Sequence, residues 1–262
     1  MPPALRRAQI LERIQRDGGV SVAELARDHA VSPITVHRDL EQLAREGLVE
    51  RVHGGARALR RAHAGSLPLI ATAWTQRVEQ AAAAKAAIAA RAAAMISTGS
   101  TVFLDASSSA LALARRLMED PPNELTVVTN SPAIAYEVVA ESMHVVCCPG
   151  ELDQHMRMLA GRWTVEFLHE LHFDVAFVSA AGLALETGLT TSRRPLADVV
   201  NAARAAAGRT VGLIDATKFG RAPLVSIVPA QKLDLIVTDD GLEEAVAGEY
   251  VAAGVRLEIV NT

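Results

Sequence analysis

Four stretches of this 262-residue chain place hydroxyls, small residues and one lysine directly after apolar runs. Phe103-Leu104 leads into Asp105-Ala106-Ser107-Ser108-Ser109, and Val128 leads into Thr129-Asn130-Ser131-Pro132. Phe177-Val178 leads into Ser179, with Gly182 and Thr187-Gly188-Leu189-Thr190-Thr191-Ser192 beyond it; Leu213-Ile214 leads into Asp215-Ala216-Thr217-Lys218-Phe219. Where such loops open helices, free N–H groups and a partial positive charge attract anions. The hydroxyls add donors and Lys218 adds a point charge. Asp105 and Asp215 suit sugar hydroxyls. The set fits a phosphate carried on a polyhydroxylated body. Any one serine is equally well explained as a helix cap; the loops taken together are not. Only three lysines occur, Lys85, Lys218 and Lys232, against many arginines. A lone lysine therefore carries information and a lone arginine does not.

A second constellation lies near the N-terminus, in Ser32-Pro33-Ile34-Thr35-Val36-His37-Arg38-Asp39-Leu40. Ser32 is a helix cap, and Pro33 stands where a missing N–H costs nothing. Val36, Leu40 and Leu43 share one face of the helix; Thr35, His37, Arg38, Glu41 and Arg45 share the other. Upstream, Ser21-Val22-Ala23-Glu24 is a capping box opening a helix that runs to about His29. An earlier helix over 6–16 places Ala8, Ile10, Leu11 and Ile14 at helical spacing and stops at Asp17-Gly18-Gly19, with Val20 as a short strand. Gly47 ends the longer helix, Leu48–Val52 alternates like a strand, and His53-Gly54-Gly55 turns it. This order is a winged helix-turn-helix, whose second helix enters the DNA major groove. Base-edge contacts fall to His37 and Arg38, since arginine binds guanine bidentately. Phosphate contacts fall to Ser32, Thr35, Arg51 and the wing at His53-Gly54-Gly55, and Ser21 is a further DNA-binding candidate. The bland alternative for Arg38 is a surface pair with Asp39 or Glu41.

These residues need two frames to hold them. Residues 1–57 form the winged helix, 58–74 a linker, and 75–262 a second domain. An alanine-rich helix is expected over roughly 75–96, since alanine is the best helix former. Beyond residue 100, apolar runs at Thr101–Leu104, Leu125–Val128, His144–Cys148, Asp174–Val178, Thr210–Ile214, Ser226–Val228 and Leu235–Val237 read as strands. Helical stretches lie between several of them, at Ala110–Met118, Ala133–Ala140, Thr164–Glu170 and Leu196–Ala207. That alternation predicts an α/β domain with a mostly parallel sheet, which binds ligands at the carboxyl ends of its strands.

Composition narrows the classes. Half of the chain is hydrophobic, which excludes a disordered chain. No apolar run approaches the ~20 residues of a membrane helix, and no apolar stretch follows Arg6-Arg7, so neither a membrane span nor a secretory signal is expected. Adjacent Cys147 and Cys148 point to opposite faces of a strand, which excludes a disulfide framework and suits the reducing cytoplasm. The formal net charge of −4 hides an asymmetry. Residues 1–61 hold 11 arginines and 8 acidic residues, for +3; the rest holds 15 basic and 22 acidic residues, for −7. A basic head on an acidic body suits a nucleic-acid reader joined to a domain of another kind.

The motifs resemble those of the DeoR family of bacterial sugar-metabolism regulators. Ser32-Pro33-Ile34-Thr35-Val36-His37-Arg38-Asp39-Leu40 resembles its S-x-x-T-[IV]-R-R-D-L, and Arg51-Val52-His53-Gly54-Gly55 its R-x-H-G-G. Asp105 to Ser109 stands for D-x-G-T-T and Thr129-Asn130-Ser131 for T-N-S. Asp174 to Phe177, Gly188-Leu189-Thr190 and Asp215 to Phe219 follow in order, so the resemblance spans about the whole chain. It implies a repressor of carbohydrate genes, released from a double-stranded DNA operator by a phosphorylated sugar. It also implies a sensor similar to ribose-5-phosphate isomerase, assembly as a homodimer or homotetramer, and no cofactor. The effector-binding residues it implies are Asp105, Ser107, Ser108, Ser109, Thr129, Asn130, Ser131, Gly188 and Lys218. Three departures stand out: His37 replaces an arginine, Ala106-Ser107 replaces glycine and threonine, and Val200-Asn201 stands where the family often has lysine.

Two other functions compete. A phosphosugar isomerase with an appended DNA-binding domain needs a positioned base. Asp174-Val175-Ala176-Phe177 offers phenylalanine where the resembled isomerases carry a second acid, which leaves Glu186 as a nearby carboxylate in sequence. A metal switch at His169-Glu170-Leu171-His172 has i,i+3 spacing rather than the i,i+4 of the zinc-protease helix.

Overall fold

The computed structural model describes residues 6, 7, 9, 10, 13, 14, 19–29, 31–45, 49–52, 54–58, 74 and 76–262. His53, Gly47, the Asp17-Gly18 stop, the Ala30 turn residue and most of the expected linker lie outside these residues. The chain divides into two units, Met1–Pro68 and Leu69–Thr262.

The first unit begins with helical residues at 6, 7, 9, 10, 13 and 14. It continues through β1 (Gly19–Ser21), α1 (Val22–Asp28), α2 (Pro33–Arg45), β2 (Val49–Val52) and β3 (Gly55–Ala58). Ser21 Oγ accepts the Glu24 N–H at 3.2 Å while Glu24 accepts the Ser21 N–H at 2.9 Å, the reciprocal capping box read from the sequence. Ser32 Oγ likewise accepts the Thr35 N–H at 3.2 Å and starts α2. Ile10, Ile14, Leu25, Val36, Leu40 and Leu43 form the core, each almost wholly excluded from water. The strands pair antiparallel in the order β1-β3-β2. Gly55 is required there, because a Cβ would fall 2.3 Å from the Val20 carbonyl oxygen. β3 runs to Ala58, one residue into the segment read as linker.

The second unit is built on a seven-stranded parallel sheet. Its strands are β4 (Thr101–Leu104), β5 (Leu125–Thr129), β6 (Met143–Cys147), β9 (Phe173–Val178), β12 (Ala207–Leu213), β14 (Leu235–Asp239) and β15 (Leu257–Val260). Across the sheet they run β15-β14-β12-β9-β4-β5-β6. The chain builds outward from β4 in one direction, then returns to lay β9 on its other side. The β4–β9 junction is therefore a topological switch point. Two apolar layers cover the faces. One is centred on Phe103, Phe173, Val199, Val200 and Ile236, the other on Ile88, Leu104, Leu111, Leu113 and Phe177.

α3 (Ala82–Ala93) packs on α4 (Ser108–Glu119), with Ala84, Ile88, Ala89 and Ala92 buried. The small side chains let the two backbones approach closely. The long alanine-rich helix expected over 75–96 is broken. Residues 76–79 are helical, then Ala81 turns left-handed at φ 51° before α3 begins. Lys85 explains the break: its buried ammonium donates to the Arg77 carbonyl at 2.5 Å and to the Gln80 carbonyl, capping the first piece from within the second.

Two smaller sheets were not foreseen. β7 (Glu151–Asp153) and β8 (Met158–Ala160) form a hairpin. β10 (Gly182–Ala184), β11 (Gly188–Thr191) and β13 (Val225–Val228) form an antiparallel sheet. The run Ser226–Val228, expected in the parallel sheet, belongs to this second one. The remaining helices are α5 (Pro132–Glu137), α6 (Arg162–His169), α7 (Arg194–Ala205) and α8 (Glu244–Ala252), the last also unforeseen. α5 ends three residues short of the expected Ala140. Among the described residues, no helix is long and apolar enough to cross a membrane.

Candidate DNA-reading face and effector cavity

In the first unit, α2 buries Val36, Leu40 and Leu43 and exposes Ile34, His37, Arg38 and Glu41. Asp39, next to Arg38, turns inward. Arg6 Nε donates to its Oδ2 at 2.6 Å and Arg6 Nη2 to its Oδ1 at 3.3 Å, a buried bidentate pair. Glu41 lies 3.9 Å from Arg51. Neither carboxylate pairs with Arg38, which is exposed and carries no recorded hydrogen bond or ion pair among the described residues. Arg51, on β2, donates to His37 Nδ1 at 2.9 Å. A guanidinium can only donate, so His37 Nδ1 holds a lone pair and Nε2 holds the proton. His37 thus presents an N–H donor outward.

The other expected DNA contacts vary in availability. Thr35 is half-buried and shares a hydrogen bond with Ser32 at 2.9 Å. The Ser21 hydroxyl is committed to Glu24 in both directions, at 2.7 and 3.2 Å. Gly54 is exposed at the wing tip with φ 80° and nothing within 4 Å of a Cβ built there. Ile34 was missed in the sequence. It is 67% exposed in the first turn of α2, where an apolar residue has no reason to face water in the isolated unit.

In the second unit, a cavity of about 80 Å³ opens at the β4–β9 switch point. Its walls are the loop Asp105–Ser109 after β4, Ser179–Ala181 after β9, Lys218, Met156 in the β7–β8 turn, Leu196 on α7, and Arg77. Asp105 bridges the switch: Oδ2 accepts the Ser179 N–H at 2.7 Å and Oδ1 the Ser107 N–H at 3.0 Å. Burial pushes the Asp105 carboxyl up to about 6, against the opposing pull of these donors. Ser107 Oγ accepts the Ala110 N–H at 3.0 Å and caps α4. Lys218 rides on a tight turn, Ala216–Lys218, held at both sides. Asp215 accepts the Thr217 N–H at 3.2 Å, and Asp239 accepts the Ala216 N–H at 2.7 Å. Lys85 lies close enough for Asp215, Lys218 and Arg77 all to act on it, and burial lowers its pKa. Lys218 and Arg77 therefore share this cavity.

The structure brings together Asp105, Ser107, Ser108, Ser109 and Lys218 from the expected set. Thr129, Asn130, Ser131 and Gly188 do not line this cavity. Thr129 Oγ1 donates to the Leu104 carbonyl at 2.7 Å and accepts the Ser131 N–H at 3.0 Å. Ser131 caps α5, and Asn130 donates to the Leu159 carbonyl at 2.9 Å. Gly188 serves the backbone: at φ 70° a Cβ would stand 2.1 Å from the Val228 carbonyl oxygen. Asp215 is spent on its own turn. A wider groove of about 640 Å³ lies between α6 and α7, but its arginines, Arg162 and Arg194, are paired with Glu166 and Asp198. Its chemistry is already satisfied.

Comparison with known proteins fits this arrangement. Residues 6–62 match the family model described as "DeoR-like helix-turn-helix domain", and residues 80–240 match "DeoR C terminal sensor domain". The HTH-type transcriptional regulator GlpR of Haloferax volcanii is 31% identical, over 98% of this chain and 98% of the relative. This chain belongs to the DeoR family of transcriptional regulators. The HTH-type transcriptional regulator GolR of Listeria innocua is 30% identical over the full length of both chains. The glycerol-3-phosphate regulon repressor of Escherichia coli is 29% identical over 91% of this chain and 92% of the relative. A solved D-ribose-5-phosphate isomerase in complex with phospho-erythronic acid aligns over 52% of each chain, at 18% identity and a TM-score of 0.36, too low to carry an argument.

This DeoR-family protein is a DNA-binding regulator rather than an enzyme, as its named relatives are. The geometry adds a reason against the isomerase reading. Asp174 sits at the start of β9, where it accepts the Thr101 N–H at 2.7 Å, at the opposite end of the strands from the cavity. Phe177 is fully buried, and Glu186 stands in the β10–β11 turn, outside the cavity. Among the described residues no three His, Cys, Asp or Glu side chains gather to hold a metal ion, the His169–His172 segment included.

Proposed function

We propose that this DeoR-family regulator represses genes of sugar or carbohydrate metabolism and leaves its operator when a phosphorylated sugar occupies the cavity at the β4–β9 switch point. One observation carries the reading: Lys218, the serine-rich start of α4 and the Asp105 carboxylate share one small cavity at the carboxyl ends of the strands. A cation and a helix N-terminus suit the phosphate. The carboxylate suits hydroxyls on the carbon chain. Ser108 and Ser109 supply further polar groups at that wall.

On the DNA side, Arg38 and His37 read base edges, and Ile34 lies where a thymine methyl can meet it. Ser32, Thr35, Arg51 and the wing at His53 and Gly54 position the unit on the phosphates, with Ser21 at the start of α1 as a further DNA-facing position. Palindromic operators are read by paired helix-turn-helix units, so the working form is a homodimer or homotetramer in the cytoplasm.

The test is fluorescence anisotropy of the purified protein on DNA from its own upstream region, at fixed salt, with and without a panel of sugar phosphates. Salt is held constant because phosphate contacts make affinity steeply salt-dependent. Tight binding reversed by one sugar phosphate supports the reading. Tight binding that no member of the panel changes removes the effector assignment and leaves the DNA-binding role.

A further inference from the structure

Arg77 stands on the helical turn of residues 76–79, between buried Trp74 and the left-handed Ala81. Its guanidinium reaches the cavity that also holds Lys218. Nη1 donates to Met156 Sδ at 3.1 Å, and a thioether is a weak acceptor. Nε and Nη2 are buried without a hydrogen-bond partner. A buried donor left unmade is costly, and a buried guanidinium more so. Nε and Nη2 form the side-on edge of the guanidinium fork, the edge that grips two oxygens of a phosphate or carboxylate in parallel.

Two further contacts hold Arg77. Lys85 Nζ donates to the Arg77 carbonyl at 2.5 Å. The guanidinium carbon lies 5.2 Å from the centroid of the Trp74 ring, a cation–π stack.

We infer that Arg77 is the anion ligand of this cavity, taking two phosphate oxygens side-on through Nε and Nη2, and that occupancy alters its stack on Trp74. The inference rests on the reading of this cavity as the effector site. An anion that pulls on the guanidinium changes the Arg77–Trp74 stack before it changes anything farther away.

The chain has two tryptophans, Trp74 and the exposed Trp163. The experiment uses full-length Trp163→Phe, which leaves Trp74 as sole reporter. Inorganic phosphate is titrated against chloride of equal ionic strength, followed by the sugar-phosphate panel, with melting temperature and Trp74 emission read in parallel. Phosphate is expected to raise the melting temperature and shift Trp74 emission at the same midpoint. Arg77→Met in this background should weaken that midpoint by about tenfold or more, and Arg77→Lys, which keeps the charge without the fork, by less. Should Arg77→Met not fold, Arg77→Lys still decides: an unchanged midpoint there overturns side-on binding. Equal response in Arg77→Met overturns the assignment while leaving the cavity reading intact. A shifted melt with unchanged Trp74 emission overturns the change in the Arg77–Trp74 stack. No response of the parent protein to any phosphate overturns the cavity reading, and this inference with it.

Discussion

The Asp105 carboxylate ties the ends of two neighbouring parallel strands together by accepting the Ser179 N–H at 2.7 Å. It sits wholly buried at the floor of the cavity, and burial lifts its carboxyl from 3.8 to about 6. Folding thus favours the protonated form. The sign follows: relative to an unperturbed acid, this group costs nothing below about pH 4 and progressively destabilises the protein up to about pH 6. The full cost is on the order of 3 kcal/mol. Asp105→Asn removes that titration. The difference in melting temperature between the parent and Asp105→Asn should therefore move against the parent as pH rises from 4 to 6, then level off. A flat difference across that range defeats the assignment.

Lys218 is the cation of the cavity that sequence alone could name. Lys218→Ala should raise the sugar-phosphate concentration needed for half-release of DNA by about tenfold, the loss of one charge-assisted hydrogen bond. Anisotropy titrations normalised to each protein's own DNA affinity read this directly. An unchanged midpoint removes Lys218 from the site.

Arg38 points outward while both of its carboxylate neighbours are engaged elsewhere. Arg38→Ala should cost about 1–3 kcal/mol of operator binding and relax preference at one base pair, with no change in melting temperature. Ile34→Ala should weaken binding less, and mainly on operators with thymine at the facing position. A loss spread evenly over all DNA sequences would instead mark Arg38 as a phosphate contact.

His37 and Arg51 act as a pair across α2 and β2. The substitutions His37→Ala and Arg51→Met should be non-additive in operator affinity, with a coupling of about 0.5–1.5 kcal/mol. Arg51→Met should also alter the same base preference as His37→Ala, because the imidazole loses the partner that fixes its tautomer. Strict additivity in the double variant would separate the two roles.

Ala81 is one of three non-glycine residues with positive φ among the described residues. Ala81→Gly should stabilise the protein by up to about 1 kcal/mol, because glycine occupies the left-handed region without a Cβ clash. Chemical denaturation checks it. Destabilisation would mean that the turn is not held in this conformation.

What the sequence disclosed was local. Ser21 with Glu24 and Ser32 with Thr35 are caps closed within a few residues, so their spacing was sufficient. Asp105 to Ser109 and Asp215 to Lys218 were legible because apolar strands end just before them. Pairing partners were not. Ser226–Val228 has the same apolar run as the parallel strands yet joins β11 in a different sheet. The hydroxyls of Thr129 and Ser131 look in sequence like ligands, but they serve the Leu104 carbonyl and the start of α5. The helix break at Ala81 ran against alanine's own propensity and depends on Lys85 reaching back. Arg77 was invisible because one arginine among many carries no signal. Its role arises only where Trp74, Met156 and Lys218 meet it.

The inward turn of Asp39 toward Arg6 has a wider consequence. Along α2, inward and outward residues interleave: Val36, Asp39 and Leu40 hold the unit together, while Ile34 and Arg38 face outward free of the core and His37 touches only Arg51. Such a helix can exchange its DNA address without renegotiating its fold. Regulators with new operators can therefore arise, or be engineered, by rewriting three outward positions on an unchanged frame.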